Sequence, residues 1–128
     1  EKNKPLFVDF TGWTCVNCRY MEQNIWSDPD IDSLIRNDFV LVSLYVDSRK
    51  ELPPSGKYIS PRNGKEIDTY GAKWAELEIA EYGEITQPLY VLLDQNEKLL
   101  TVKQSYTTDV EKYKAFLQKG LDEFNSRK

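Results

Sequence analysis

The chain has 128 residues, 40% hydrophobic and 30% charged, with a net charge of −4, so one soluble-type globular domain with a single core is expected. Its basic residues are scattered, which argues against a nucleic-acid surface, and no apolar run approaches the roughly 18–20 residues of a membrane span. The opening "EKNKPLFVDF" carries no signal-peptide pattern and leads almost at once into a strand, so a piece of a larger protein is expected.

In chain order, "PLFVDF" (5–10) is a short apolar run followed by turn residues and predicts a buried strand. "CVNCRYMEQNIW" (15–26) repeats apolar or small residues at helical spacing, with Glu22 the odd member of that stripe. "SDPDIDSLIRND" (27–38) restarts a helix, Asp28 capping it and Pro29 fitting its first position. "FVLVSLYVD" (39–47) is a second strand, rich in β-branched and aromatic residues. The polar stretch 48–71, broken by prolines, reads as an insertion holding a small hairpin around "PRNG". "AKWAELEIAEY" (72–82) predicts a helix with Trp74, Leu77 and Ile79 or Ala80 facing inward, and Tyr58, Tyr70 and Trp74 are expected to anchor the insertion. "PLYVLLD" (88–94) and "KLLTVKQ" (98–104) predict an antiparallel hairpin. A helix over 108–124, capped by Thr108 or Asp109, closes the chain. The order β-α-(α)-β-loop-α-β-β-α implies an α/β fold, a mixed sheet with helices on both faces.

The only two cysteines, Cys15 and Cys18, fall where strand gives way to helix, and the chain has no histidine. A helix N-terminus has free N–H groups and a positive dipole end, which favour a thiolate over a thiol. Only the thiolate attacks disulfides, so Cys15 is the candidate nucleophile and Cys18, one turn on, the candidate resolving thiol. A metal site needs further Cys or His ligands that this chain lacks, although zinc held between two chains or by carboxylates stays open. Two buried thiols without chemistry are the plainer alternative. The redox pair is the expected reading.

Three separated features resemble the thioredoxin superfamily. "VDF" before "CVNC" matches its strand-to-helix passage, with Asp9 six positions ahead of Cys15. "AEYGEITQP" (80–88) resembles the segment leading to its cis-proline, and "LYVLLDQNEKLL" looks like the hairpin that follows. The Val-Asn pair between the cysteines, Trp13 two positions before Cys15 and the insertion depart from thioredoxin itself. "GWTCVNCRYMEQNIWSDPDI" instead resembles the C-terminal periplasmic domain of DsbD-type thiol:disulfide interchange proteins, which carry a second acid where Glu22 stands here.

The resemblance implies a single thioredoxin-like domain over 1–128, cut from a membrane protein and working in the periplasm as a monomer. It implies a protein-disulfide reductase that takes electrons from a transmembrane donor domain and passes them to thioredoxin-like acceptors. No cofactor is implied beyond the redox-active Cys15–Cys18 disulfide. Catalytic roles fall to Cys15, Cys18, Asp9 and Glu22, and substrate binding to Trp13, Gln87 and Pro88, with Gln87–Pro88 the cis bond. Two carboxylates beneath the turn would oppose the helix terminus and hold the Cys15 thiol at or above about 8.5, while Asp9 accepts the proton of Cys18. Each residue also has a plainer reading. Asp9 would face water at an edge, Glu22 would be an ordinary helical glutamate, Pro88 would merely open a strand, and Trp13 and Tyr90 would be core. A free-standing secreted thioredoxin-like reductase and a non-catalytic binding module are the competing functions.

Overall fold

The structure, a computed structural model, describes residues 4–127. Its frame is a four-stranded sheet in the order β2-β1-β5-β6. At the centre, β1 (Leu6–Thr11) runs parallel to β2 (Val40–Tyr45) and antiparallel to β5 (Leu89–Leu93). β6 (Gln104–Ser105) adds a short edge against Leu89 and Tyr90. Both central strands are apolar and buried along nearly their whole length, as strands covered on both faces must be.

Strand alternation divides the side chains between two cores. On one face Phe7, Tyr90 and Leu92 pack with Met21, Ile25, Ile31, Tyr113 and Leu117. That layer holds α1 (Val16–Tyr20), a π-helical turn (Met21–Ile25), α2 (Pro29–Asp38) and α4 (Val110–Ser126). On the other face Val8, Phe10, Leu89, Val91 and Leu93 meet Tyr82 at the end of α3 (Tyr70–Tyr82). The mixed sheet therefore has helices on both faces.

Local signals start and stop these elements. Asp28 accepts from the N–H groups of Asp30 and Ile31 at 3.1 and 3.2 Å, with Pro29 opening α2. Asp109, not Thr108, caps α4 through the N–H of Lys112. Gly83 ends α3 at φ 76°, a left-handed conformation that glycine adopts without a side-chain clash. Between α1 and α2 the Trp26 N–H reaches back to Met21 O at 2.8 Å, widening the helix by one residue for a single turn.

Three expectations need correction. The most inward stripe of α3 is Gly71, Ala75, Glu78 and Tyr82; the expected Trp74 and Ile79 are half-buried, whereas Leu77 is 37% exposed and Ala80 faces outward. Gly71 decides this phase: α3 lies directly on the chain after β2, where a Cβ would stand 2.5 Å from Ser48 O. The second arm of the predicted hairpin is interrupted. Leu99 bridges Leu93 and Leu100 N–H reaches Leu92 O, then the chain bends and pairing resumes only at Gln104. The insertion does hold the small hairpin, β3 (Tyr58–Ile59) against β4 (Glu66–Ile67). Its buried anchors, however, are Leu52, Ser60 and Ile67, while Tyr58 stays exposed. The Ser60 hydroxyl and the Arg62 guanidinium donate to Glu76 of α3, the former at 2.7 Å, which pulls the insertion onto that helix.

Candidate active site

β1 ends at Thr11, and Gly12, Trp13 and Thr14 carry the chain to Cys15, the cap of α1. Cys15 and Cys18 form a disulfide, with Cα atoms 5.2 Å apart. Cys15 is half-buried, whereas Cys18 is 1% exposed and lies beneath the turn. The Cys18 N–H donates to Cys15 Sγ at 3.1 Å. One sulfur is thus open to a partner and also receives a free amide of the helix's first turn.

Asp47 holds the loop ahead of the cysteines. Its carboxylate accepts from the N–H groups of Trp13 and Thr14 at 3.0 and 3.3 Å, and from the Thr14 hydroxyl at 3.4 Å. The parallel register Thr11↔Tyr45 brings Asp47 there, and sequence reasoning passed it over. The only signal in the sequence is an acid just past an apolar strand. Trp13 is 63% exposed and stacks on Tyr45, ring centroids 4.1 Å apart, so it belongs to the surface around the disulfide. Tyr90 belongs to the core, against Phe7 and Tyr113.

Asp9 stands in the middle of the central strand, between Ser43 on one side and Tyr90 on the other, and is 2% exposed. The edge position open to water is therefore excluded. Its Oδ2 accepts from the Ser43 hydroxyl at 3.3 Å and its Oδ1 is buried without a partner. Burial raises the carboxyl to about 7; the Ser43 bond lowers it, the charge of Glu22 raises it, and Arg19 lowers it. Asp9 can thus hold or release a proton near neutrality.

Glu22 sits at the margin of the helix face and not within the core, its side chain 34% exposed and paired with Arg19 at 3.0 Å. The same Arg19 Nη2 donates to Thr11 Oγ1 at 3.1 Å, tying α1 to the end of β1. Arg19 and Ser43 are further site residues that sequence reasoning did not single out. The Arg19–Glu22 spacing of three was a usable helical signal, but the Ser43 contact follows only from strand register.

Gln87–Pro88 is a cis peptide bond. Leu89 pairs with Phe10, so Pro88 falls beside Thr11 at the end of β1 where the cysteine loop departs. Pro88 is buried and Gln87 half-buried. Among the described residues no group of three or more His, Cys, Asp or Glu side chains is placed to hold a metal ion.

A parallel–antiparallel central strand leading into a disulfide at a helix start, with a cis-proline alongside, defines a thioredoxin-like fold bearing a CxxC pair. The family profile described as Thioredoxin-like matches residues 1–66, half of the chain, and the chain belongs to that family. No curated protein sequence matches it. Among solved structures, the DsbH oxidoreductase is similar over 93% of this chain and 73% of its own, at 20% identity and TM-score 0.64. A thioredoxin-fold protein from Helicobacter pylori is similar over 97% and 73%, at 18% identity and TM-score 0.67. The C-terminal domain of Neisseria meningitidis DsbD in the reduced form is similar over 91% and 81%, at 13% identity and TM-score 0.56.

Proposed function

We propose that this domain is a thiol–disulfide reductant that passes electrons from a transmembrane donor to thioredoxin-like acceptors outside the cytoplasm. The observation that carries the reading is the asymmetry of the pair: an accessible Cys15 receiving an amide N–H, a buried Cys18 behind it, and a buried proton-holding Asp9 in the strand that feeds the turn. In the reduced domain the Cys15 thiolate attacks the acceptor's disulfide, forming a mixed disulfide and expelling one acceptor thiolate. Cys18 gives its proton to Asp9 and attacks Cys15 Sγ, which breaks the mixed disulfide and releases the second acceptor sulfur as a thiolate, which takes its proton from water. Two electrons pass to the acceptor and the Cys15–Cys18 disulfide remains for the donor to reduce. No cofactor enters these steps.

Trp13 offers an aromatic surface beside Cys15, and the backbone at Gln87 and Pro88 lies along the loop where an extended substrate segment would pair. The donor, the acceptors, the monomeric state and the periplasmic setting rest on the resemblance of the "GWTCVNCRYMEQNIWSDPDI" segment to DsbD-type domains. Trapping tests the reading. Cys18→Ser should accumulate mixed disulfides with protein substrates and Cys15→Ser should not; equal trapping by both overturns the assignment. The carboxylates disfavour extra negative charge at the site, so the reduction potential should lie nearer thioredoxin's, about −270 mV, than that of the oxidase DsbA, about −120 mV, and a value above about −180 mV overturns the reductant reading. Insulin reduction separates this reading from a binding module, which would show none.

A further inference from the structure

Glu78 is a buried acid that the exchange chemistry above does not use. It occupies the core-facing stripe of α3 between Ala75 and Tyr82, where an apolar side chain would fill the space without desolvating a carboxylate. It has no exposed surface. Its Oε2 accepts from the Thr86 N–H at 3.0 Å, and its Oε1 is buried with no partner. Thr86 lies two residues before Pro88, in the segment that returns from Gly83 to β5 and passes the end of β1.

We propose that Glu78 is a positioning residue for protein substrates: its buried carboxylate holds the Thr86 backbone, and through it the Gln87–Pro88 edge, in place beside the disulfide. The inference rests on the reading of that edge as the substrate-pairing strand. The helix supplies a rigid base, because Gly71 seats α3 against the chain after β2. The loop itself has few other ties: Glu84 pairs with Lys103 at 3.3 Å, and Ile85 is exposed. One charge-assisted bond therefore sets the height of the Thr86–Pro88 backbone.

The hold also responds to pH. Burial lifts the Glu78 carboxyl to about 7, the Thr86 N–H lowers it, and Glu84 raises it. Lys103 meets this system through Glu84. A neutral carboxyl accepts the Thr86 N–H less strongly than a carboxylate, so protonation loosens the edge.

The test compares two substrates, insulin and hydroxyethyl disulfide, with dithiothreitol as donor. A small disulfide needs only Cys15, whereas a protein chain needs the pairing edge. Glu78→Leu should raise KM for insulin about tenfold, the loss of one hydrogen bond from a charged group, and leave hydroxyethyl disulfide reduction unchanged. Glu78→Gln keeps only a neutral acceptor for Thr86, so at about pH 8.5 its insulin KM should fall between those of the Leu variant and the wild type. A Leu variant with unchanged insulin KM, or loss of both substrates alike in folded Leu and Gln variants, overturns the proposal. Should the Leu variant not fold, the ratio of insulin to small-disulfide rates over about pH 5.5–8.5 decides, since Asp9 acts on both substrates alike. That ratio should fall below about pH 7 in the wild type and stay flat in Glu78→Gln; parallel profiles refute it. A wild type that reduces neither substrate overturns the proposed function, and this inference with it.

Discussion

Replacing Asp9 by Asn should remove much of the pH dependence of this domain's stability. The carboxyl moves from an ordinary 3.8 to about 7 on folding, chiefly because burial penalises its charge. The folded chain therefore favours the protonated form. The stability from that form is complete below about pH 4, declines as pH rises through 7, and is gone above about pH 8. A gap of about 3 pH units at about 1.4 kcal/mol each sets the loss at about 4 kcal/mol. Asn has nearly the shape of the neutral acid and carries no charge. At low pH the variant should match or fall slightly below the wild type, because the unpartnered Oδ1 position would then hold an amide with nothing to bond. Near pH 8.5 it should be the more stable protein, by an amount approaching about 4 kcal/mol. Urea unfolding of the disulfide form of both proteins, at several pH values between about 4.5 and 8.5, reads the difference. Glu78 contributes a decline of the same sign in both proteins, so the variant keeps a smaller slope and not a flat line. Parallel curves for wild type and Asp9→Asn would refute the reasoning, since the carboxyl would then not titrate differently in the two states.

Glu22→Gln and Asp9→Asn should each lower the pKa of the Cys15 thiol, measured by thiolate absorbance against pH, because each removes a negative charge near the site. Asp47→Ala should slow insulin reduction and destabilise the disulfide form by about 1 kcal/mol in urea, as the Trp13 and Thr14 amides lose their acceptor and turn to water. Gly71→Ala should cost about 1–3 kcal/mol of unfolding free energy, because its Cβ would meet Ser48 backbone that cannot yield like a side chain.

Much of this molecule is written locally. The Asp28–Pro29 start of α2, the Gly83 stop of α3, the alternation of strand and helix and the Cys15–Cys18 pair at a helix start all depend on residues a few positions apart, so they read directly from the chain. Asp9 was legible as an anomaly, an acid in an apolar run, but not its place between Ser43 and Tyr90. The expected phase of α3 failed because hydrophobic spacing ranks side chains by polarity, whereas the helix was set down by the absence of one at Gly71. That phase turned Glu78 inward and Leu77 outward. Asp47 reaches Trp13 across 34 residues, and only the parallel register of β1 and β2 makes them neighbours. Tertiary structure decided these matters because burial and register settle what a carboxylate meets. A strand or helix period says which way a side chain points, and the cost or use of its charge depends on what packing brings opposite it.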